Sequence, residues 1–208
     1  VVNHSLATYD IFMLWSAIYQ DYGRITRCLV DRILFNIPYV KGLVDRLGLI
    51  EAGPNAAKRV LTESEEILCV APGGMRELLK PSSQRYQIQW DDRKGFARLA
   101  IDKKVPGILA ACPKADDLYD VFSNRFITGF AYKRLHIPLT LTRGFGPTFF
   151  PRPIKLTHHL SEAIIPPKPR NENEMGNLVD QFHTDLVLRM RQLMAQGVQY
   201  GSDRPLGK

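Results

Sequence analysis

Three cysteines in 208 residues, Cys28, Cys69 and Cys112, are too few, too scattered and odd in number to build a disulfide framework. No CxxC pair or Cys/His cluster has the spacing of a zinc site. Cys69 and Cys112 lie in apolar, strand-like runs, where a thiol behaves as a small buried hydrophobe, and a reducing compartment is expected. No metal and no resident cofactor are indicated. No run of 18 apolar residues occurs, so nothing in these residues spans a bilayer unaided, and no signal-peptide pattern is found. A GxSxG elbow is missing, which argues against the common serine-hydrolase arrangement. Gly144-Phe145-Gly146-Pro147 lacks the third glycine and the strand-to-helix setting of a dinucleotide fingerprint.

What is present describes an ordinary globular chain. Apolar residues make up 45% and charged residues 24%, which excludes disorder as the default. The length suits a single domain, residues 1–208, with a full-sized core. The formal charge of +7 favours an anionic partner. The basic residues are scattered (Arg24, Arg27, Arg32, Lys58, Arg59, Arg93, Lys94, Lys103, Lys104, Lys133, Arg134) and no nucleic-acid signature accompanies them. A membrane surface or an acidic small molecule therefore ranks above nucleic acid. The chain opens on Val1 and not on methionine, with a chemistry-bearing motif at once, as expected of a piece whose N-terminal part, a membrane anchor or otherwise, is missing.

Ile11, Leu14, Trp15, Ile18 and Tyr19 recur at helical spacing after Asp10, with Phe12 and Met13 widening the stripe. Cys28 to Leu34 reads as a short strand or a helix start, and Pro38 to Leu49 as an amphipathic piece. A helix is expected over Ala56 to Ser64 with Asn55 as N-cap. Glu66 to Ala71 reads as a buried strand ended by Pro72, Gly73 and Gly74. Arg93 to Lys103 then reads as a helix and Val105 to Cys112 as an apolar strand. This alternation predicts an α/β fold with a mixed, largely parallel sheet flanked by helices. Ile154, Leu156, His158 and Leu160 alternate as a later strand does. Met175, Leu178, Val179, Phe182, Leu186, Met190 and Leu193 share one helical face, followed by a frayed tail from Gly197.

Two short segments carry the chemistry. In Asn3-His4-Ser5-Leu6-Ala7-Thr8-Tyr9-Asp10, the His4 imidazole suits a general base, and the Asp10 carboxylate could fix its tautomer. On one continuous helix the two would stand about 240° apart at ~100° per residue. They meet only if Ser5 to Thr8 forms a turn and the helix starts near Tyr9 or Asp10, with Ser5 or Thr8 as cap. In Pro72-Gly73-Gly74-Met75-Arg76-Glu77, glycines after a strand let the backbone approach a ligand and offer N–H groups to an oxyanion or phosphate. Arg76 could pair with a phosphate or carboxylate, and Glu77 reads as a solvated ion-pair partner. A base with its orienting acid, a donor loop and a cation are the parts that acyl transfer to a hydroxyl requires. His158 and His159 are adjacent and point to opposite faces of a strand, and His136 and His183 have no chemical context.

Asn3-His4 through Asp10 resembles the NHxxxxD block of the lysophosphatidate and glycerophosphate acyltransferase superfamily. Pro72 to Glu77 resembles the PGG-x-(R/Q)-E block of its diacylglycerol acyltransferase-like branch. Arg93-Lys94-Gly95-Phe96-Ala97-Arg98-Leu99-Ala100 and Ala115-Asp116-Asp117-Leu118-Tyr119 are similar to that branch's RKGF helix and the polar turn that follows the next strand. The resemblance runs from residue 3 to about 168. It implies a glycerol-3-phosphate acyltransferase-like fold and a membrane-associated enzyme with its site facing the cytosol, at the endoplasmic reticulum in a eukaryote. Such an enzyme moves a fatty acyl group from acyl-CoA, a co-substrate, to the hydroxyl of a glycerolipid or lipid alcohol. Carried over, His4 is the base, Asp10 its partner, Pro72, Gly73 and Gly74 shape the acceptor or oxyanion site, and Arg76 lies near the acceptor's polar head. Five residues, not four, separate His4 from Asp10. Glycine replaces the glutamate of the more common FPEGT-type block, which tilts the acceptor towards a neutral lipid or alcohol. Transacylation or hydrolysis in the same pocket, and lipid docking without catalysis, are the alternative readings.

Overall fold

The structure, a computed structural model, describes residues 1–6, 8–31, 35, 42, 46–122 and 141–202. Three parallel strands, β1 (Thr26–Val30), β2 (Leu49–Glu51) and β3 (Ile67–Cys69), form the centre in the order β2–β1–β3. Cys28 lies opposite Leu49 on one side and Cys69 on the other. The first residues of the chain extend this sheet. Val2 N–H donates to Val70 O at 3.0 Å, and Val2 bridges in parallel to Ala110 of β4 (Ala110–Ala111). Antiparallel β7 (His159–Leu160) follows β4. A separate antiparallel pair joins β5 (Asp120–Phe122) to β6 (Leu141–Arg143).

The alternation of side chains along these strands separates two core clusters. On one face Val2, Cys28, Cys69 and Ala110 pack with Ile11, Leu14 and Trp15 of α1 (Tyr9–Tyr22). On the other, Leu109 and Ala111 meet Ala97 and Ile101 of α4 (Gly95–Lys103), and Val179, Phe182, Leu186, Met190 and Met194 of α5 (Met175–Ser202). A sheet covered by helices on both sides is the expected α/β architecture, and the parallel centre agrees with it. A third cluster, Leu118, Tyr119 and Val121 with Leu6, Ile154 and Leu156, lies under the start of the chain.

Several boundaries differ from expectation for identifiable reasons. Helix α2 (Pro54–Glu63) is capped by Gly53, with Pro54 in the first turn, where its fixed φ and missing N–H suit the helix; Asn55 is inside it. The apolar run to Cys112 pairs as a strand only at Ala110–Ala111, since Pro106 lacks a donor and Gly107 makes an isolated bridge to Ile164. Ile154 and Leu156 fill the third cluster, leaving β7 two residues long. Helix α5 runs through Gly197 to Ser202 where a frayed tail was expected. At Gly197 a side chain would collide with His159 and Pro113, so the glycine lets the helix lie close and persist. Most of Pro38 to Leu49, together with Arg32, Lys133, Arg134 and His136, lies outside the described residues. Among the described residues no helix is long and apolar enough to cross a membrane.

Candidate functional site

The extended first residues of the chain, bonded through Val2 to Val70 just beyond β3, deliver His4 to the carboxyl ends of the parallel strands, the usual ligand side of an α/β sheet. Asn3, fully buried, fixes that delivery. Its side-chain amide donates to Cys112 O at 3.3 Å and its Oδ1 accepts the Cys112 N–H at 2.8 Å. The chain then turns as the sequence requires. Thr8 N–H donates to Ser5 O at 3.3 Å, Thr8 takes a left-handed φ of 54°, and α1 starts at Tyr9. Thr8 makes no side-chain cap. Ser5 instead donates its hydroxyl to the buried Asp10 carboxylate at 3.0 Å, which also accepts the N–H groups of Asp10 and Ile11.

No hydrogen bond joins the His4 and Asp10 side chains among the described residues. His4 Nδ1 is buried with no partner among the described residues. Burial, helped by the charge of Lys80, lowers the His4 pKa to about 4, so the imidazole is neutral at physiological pH. Burial raises Asp10 to about 6, so it is mostly ionised at pH 7. Asp10 also lies in a group with Cys112 Sγ and a His158 ring nitrogen, all within 4.8 Å. This is the one grouping of metal-ligand composition among the described residues. Burial pushes the Cys112 thiol up to about 12 and the His158 imidazole down to about 4, so all but Asp10 are uncharged at pH 7.

The Pro72-Gly73-Gly74 bend follows β3 and opens the short helix α3 (Gly74–Leu78). Gly74 takes φ +50° and donates its N–H to Ala71 O at 3.1 Å, whereas the Gly73 N–H has no acceptor among the described residues. Arg93 holds the outside of the bend, donating to Pro72 O at 3.1 Å and Gly73 O at 3.0 Å. Glu77 holds the inside. Expected in solvent, it is fully buried, with its carboxylate in the space a side chain at position 73 would need. Its Oε1 accepts the Gln89 N–H at 3.4 Å, its Oε2 is buried with no hydrogen-bond partner among the described residues, and the His4 backbone N–H lies nearby. One carboxylate therefore stands between the bend and the His4 segment. Burial raises its pKa to about 7 against the opposing charge of Lys80.

Beneath this strut, Lys80 and Asp116 form a buried ion pair at 2.7 Å. Lys80 also donates to Gln87 O at 3.1 Å, and Asp116 accepts the Tyr86 N–H at 2.7 Å. The geometry satisfies both charges, as burial requires. A narrow cavity of about 20 Å³, bounded by Leu6, Glu77, Lys80, Asp116 and Tyr119 among others, lies here.

Asp10 sits with Ser5, Cys112 and His158, the Pro72-Gly73-Gly74 bend packs against Glu77 and Arg93, the His4 backbone lies near Glu77, and Arg76 stands apart from all of them. Arg76 is largely exposed and pairs with Asp91 at the surface. Reasoning from sequence missed Glu77, Lys80, Asp116 and the clamp from Arg93. A weak signal existed for Glu77: four residues after Gly73, at the start of a helix, it lies over a position with no side chain. His183 is a core residue, edge-on to Phe96 at 5.8 Å.

Comparison with known proteins gives one consistent direction. A family profile described as Acyltransferase matches residues 1–111. Among curated proteins, the chain is similar to a "DGAT1/2-independent enzyme synthesizing storage lipids" of Bos taurus, 30% identical over 79% of this chain and 47% of that protein. The Homo sapiens protein of the same description is 29% identical over 79% of this chain and 48% of its own length. An uncharacterised protein of Mycobacterium leprae is 27% identical over 73% of this chain and 38% of its own. The chain spans about half the length of the storage-lipid relatives. No solved structure matches it significantly.

Proposed function

Taking as premise that the chain belongs to the acyltransferase family, we propose that it catalyses transfer of a fatty acyl group from acyl-CoA to a hydroxyl of a glycerolipid or lipid alcohol. The observation that supports this reading is a neutral, half-buried imidazole whose backbone lies near Glu77, the same carboxylate that fills the space inside a glycine bend with a free N–H. Storage-lipid synthesis in the relatives' names supports a lipid acceptor.

In this mechanism His4 accepts the acceptor's hydroxyl proton as its oxygen attacks the thioester carbonyl. Such general-base help is typically worth roughly 100- to 10,000-fold. The carbonyl electrons move to oxygen, where the Gly73 N–H is the assigned donor; one such donor is typically worth about 100- to 1,000-fold. Collapse re-forms the carbonyl and expels the coenzyme A thiolate, which takes the proton back from His4. Asp10, ionised and steadied by Ser5, stabilises the imidazolium between these steps. No acyl-enzyme is invoked: Cys28, Cys69 and Cys112 are all buried, and the Cys112 thiol is held protonated.

The test incubates the protein with labelled acyl-CoA and separate diacylglycerol, monoacylglycerol, lysophospholipid and long-chain alcohol acceptors. Acyl-CoA-dependent ester formation with at least one acceptor is expected. Product formed equally well from an acyl lipid without acyl-CoA would reject the thioester donor in favour of transacylation.

A further inference from the structure

A compact loop over residues 144–150 projects from the strand pair β5–β6. Its backbone is closed by Gly144 N–H to Thr148 O and Phe145 N–H to Phe150 O, both at 2.8 Å, and by Thr148 Oγ1 to Phe145 O at 2.7 Å. Gly144 is required, because a side chain there would run into the Phe150 carbonyl. The loop is thus well formed, yet it leaves Phe145, Phe149 and Phe150 at 61%, 74% and 75% exposure. Three phenyl rings within six residues, on a loop that folds around none of them, are an apolar surface in need of a partner.

The loop's base is cationic. Arg85, Arg143 and Arg152 all donate to the single carboxylate of Asp120, and Arg85 also pairs with Asp117 at 3.6 Å, so three guanidinium groups face two carboxylates. Arg143 and Arg152 line a hollow of about 310 Å³ with Gly144, Gly146 and Pro147. This cationic hollow stands near the proposed site. Tyr119 lies against Gly144 and close to Tyr9, the residue before Asp10, while Leu6 packs in the Tyr119 cluster.

We propose that residues 143–152 dock the protein on a bilayer containing anionic phospholipid, with the phenyl rings entering the acyl boundary and a headgroup phosphate held at the Arg143–Arg152 hollow. Charge complementarity chooses an anionic surface. Shape chooses a bilayer over a protein, since a stable protein interface needs about 800 Å² per partner and a seven-residue protruding loop offers far less. Docking here holds the Tyr119 side of the protein, with Leu6 and Tyr9, at the lipid surface, where acyl chains reside. The inference deepens the acyltransferase reading by naming its surface, and its test involves no turnover, so either can fail without the other.

The 208-residue chain is sedimented with vesicles of phosphatidylcholine alone and of phosphatidylcholine with about one-third phosphatidylserine, at low and high salt. Strong binding to the anionic vesicles, weakened by salt, is expected. The double substitution Phe149→Ser with Phe150→Ser lowers it by about 100-fold or more, at ~10-fold for each buried ring. Arg143→Gln removes mainly the preference for anionic lipid. Both variants keep the wild-type melting temperature, because the substituted side chains are exposed. Equal vesicle binding by wild type and the double variant would overturn the proposal, as would absence of binding by wild type, or tighter binding to a soluble polyanion than to the vesicles.

Discussion

Replacing Gly73 with alanine tests the strut at the centre of the site. Gly73 has φ −62° and ψ −32°, which any residue adopts, so the substitution brings no backbone strain. Its consequence lies in space: the new Cβ would stand 2.6 Å from Glu77 Cδ and closer still to the carboxylate oxygen and Glu77 Cβ. Because Glu77 Cβ is itself in the way, a rotation of the carboxylate alone gives no relief, and helix α3 must shift. Overpacking of this kind costs about 1–3 kcal/mol. Loss of the Gln89 hydrogen bond adds about 1 kcal/mol. A total of roughly 2–4 kcal/mol corresponds to a melting temperature lowered by roughly 4–16 °C for a chain of this size. Calorimetry measures that shift, and labelled-acyl transfer below the new transition reads whether the site is disturbed. Gly95→Ala is the control: nothing lies within 4 Å of its Cβ, and at the start of α4 it is neutral or stabilising by up to about 1 kcal/mol. A Gly73→Ala protein melting within about 2 °C of wild type, with full activity, would refute the strut.

Glu77→Gln keeps the shape and removes the charge. The folded pKa of about 7 lies above the ordinary 4.5, so the wild type loses stability as pH rises from below 4.5 through 7, by up to ~3 kcal/mol. The glutamine variant, followed by urea unfolding from pH 4 to 8, shows a flatter profile from this position and gains on wild type as pH rises; parallel profiles would count against a buried carboxylate. Asn3→Ala leaves both the N–H and C=O of Cys112 without their side-chain partner, and a loss of about 1–3 kcal/mol is expected in the same unfolding assay. Arg76→Ala breaks only an exposed ion pair and changes stability by less than about 1 kcal/mol; a larger loss would show that Arg76 supports more than the surface.

The α/β alternation was legible because its signals are local. Ile67 to Cys69 ends at Pro72 and two glycines, and Ile11, Leu14 and Trp15 keep helical spacing on the buried side of α1. The turn before Asp10 could be deduced from the incompatibility of His4 and Asp10 on one helix. Contacts set by tertiary packing were not legible. Nothing near Glu77 in sequence announces Gln89 as its partner, and Arg93 reaches the bend across 20 residues. Asp10 pairs with Ser5, five residues away, where sequence reasoning had placed His4. Strand ends were overestimated for the same reason: Ile154 and Leu156 alternate as a strand does, yet their neighbours are the side chains of a third cluster.

The most direct measurement compares wild type and His4→Ala by mass-spectrometric profiling of the lipids each makes from labelled acyl-CoA and membranes. Removing an imidazole whose buried Nδ1 satisfies no partner leaves the melting temperature unchanged or raised. The account predicts that labelled ester falls by roughly 100-fold or more. A folded His4→Ala protein that forms the same labelled lipids at the wild-type rate would contradict it.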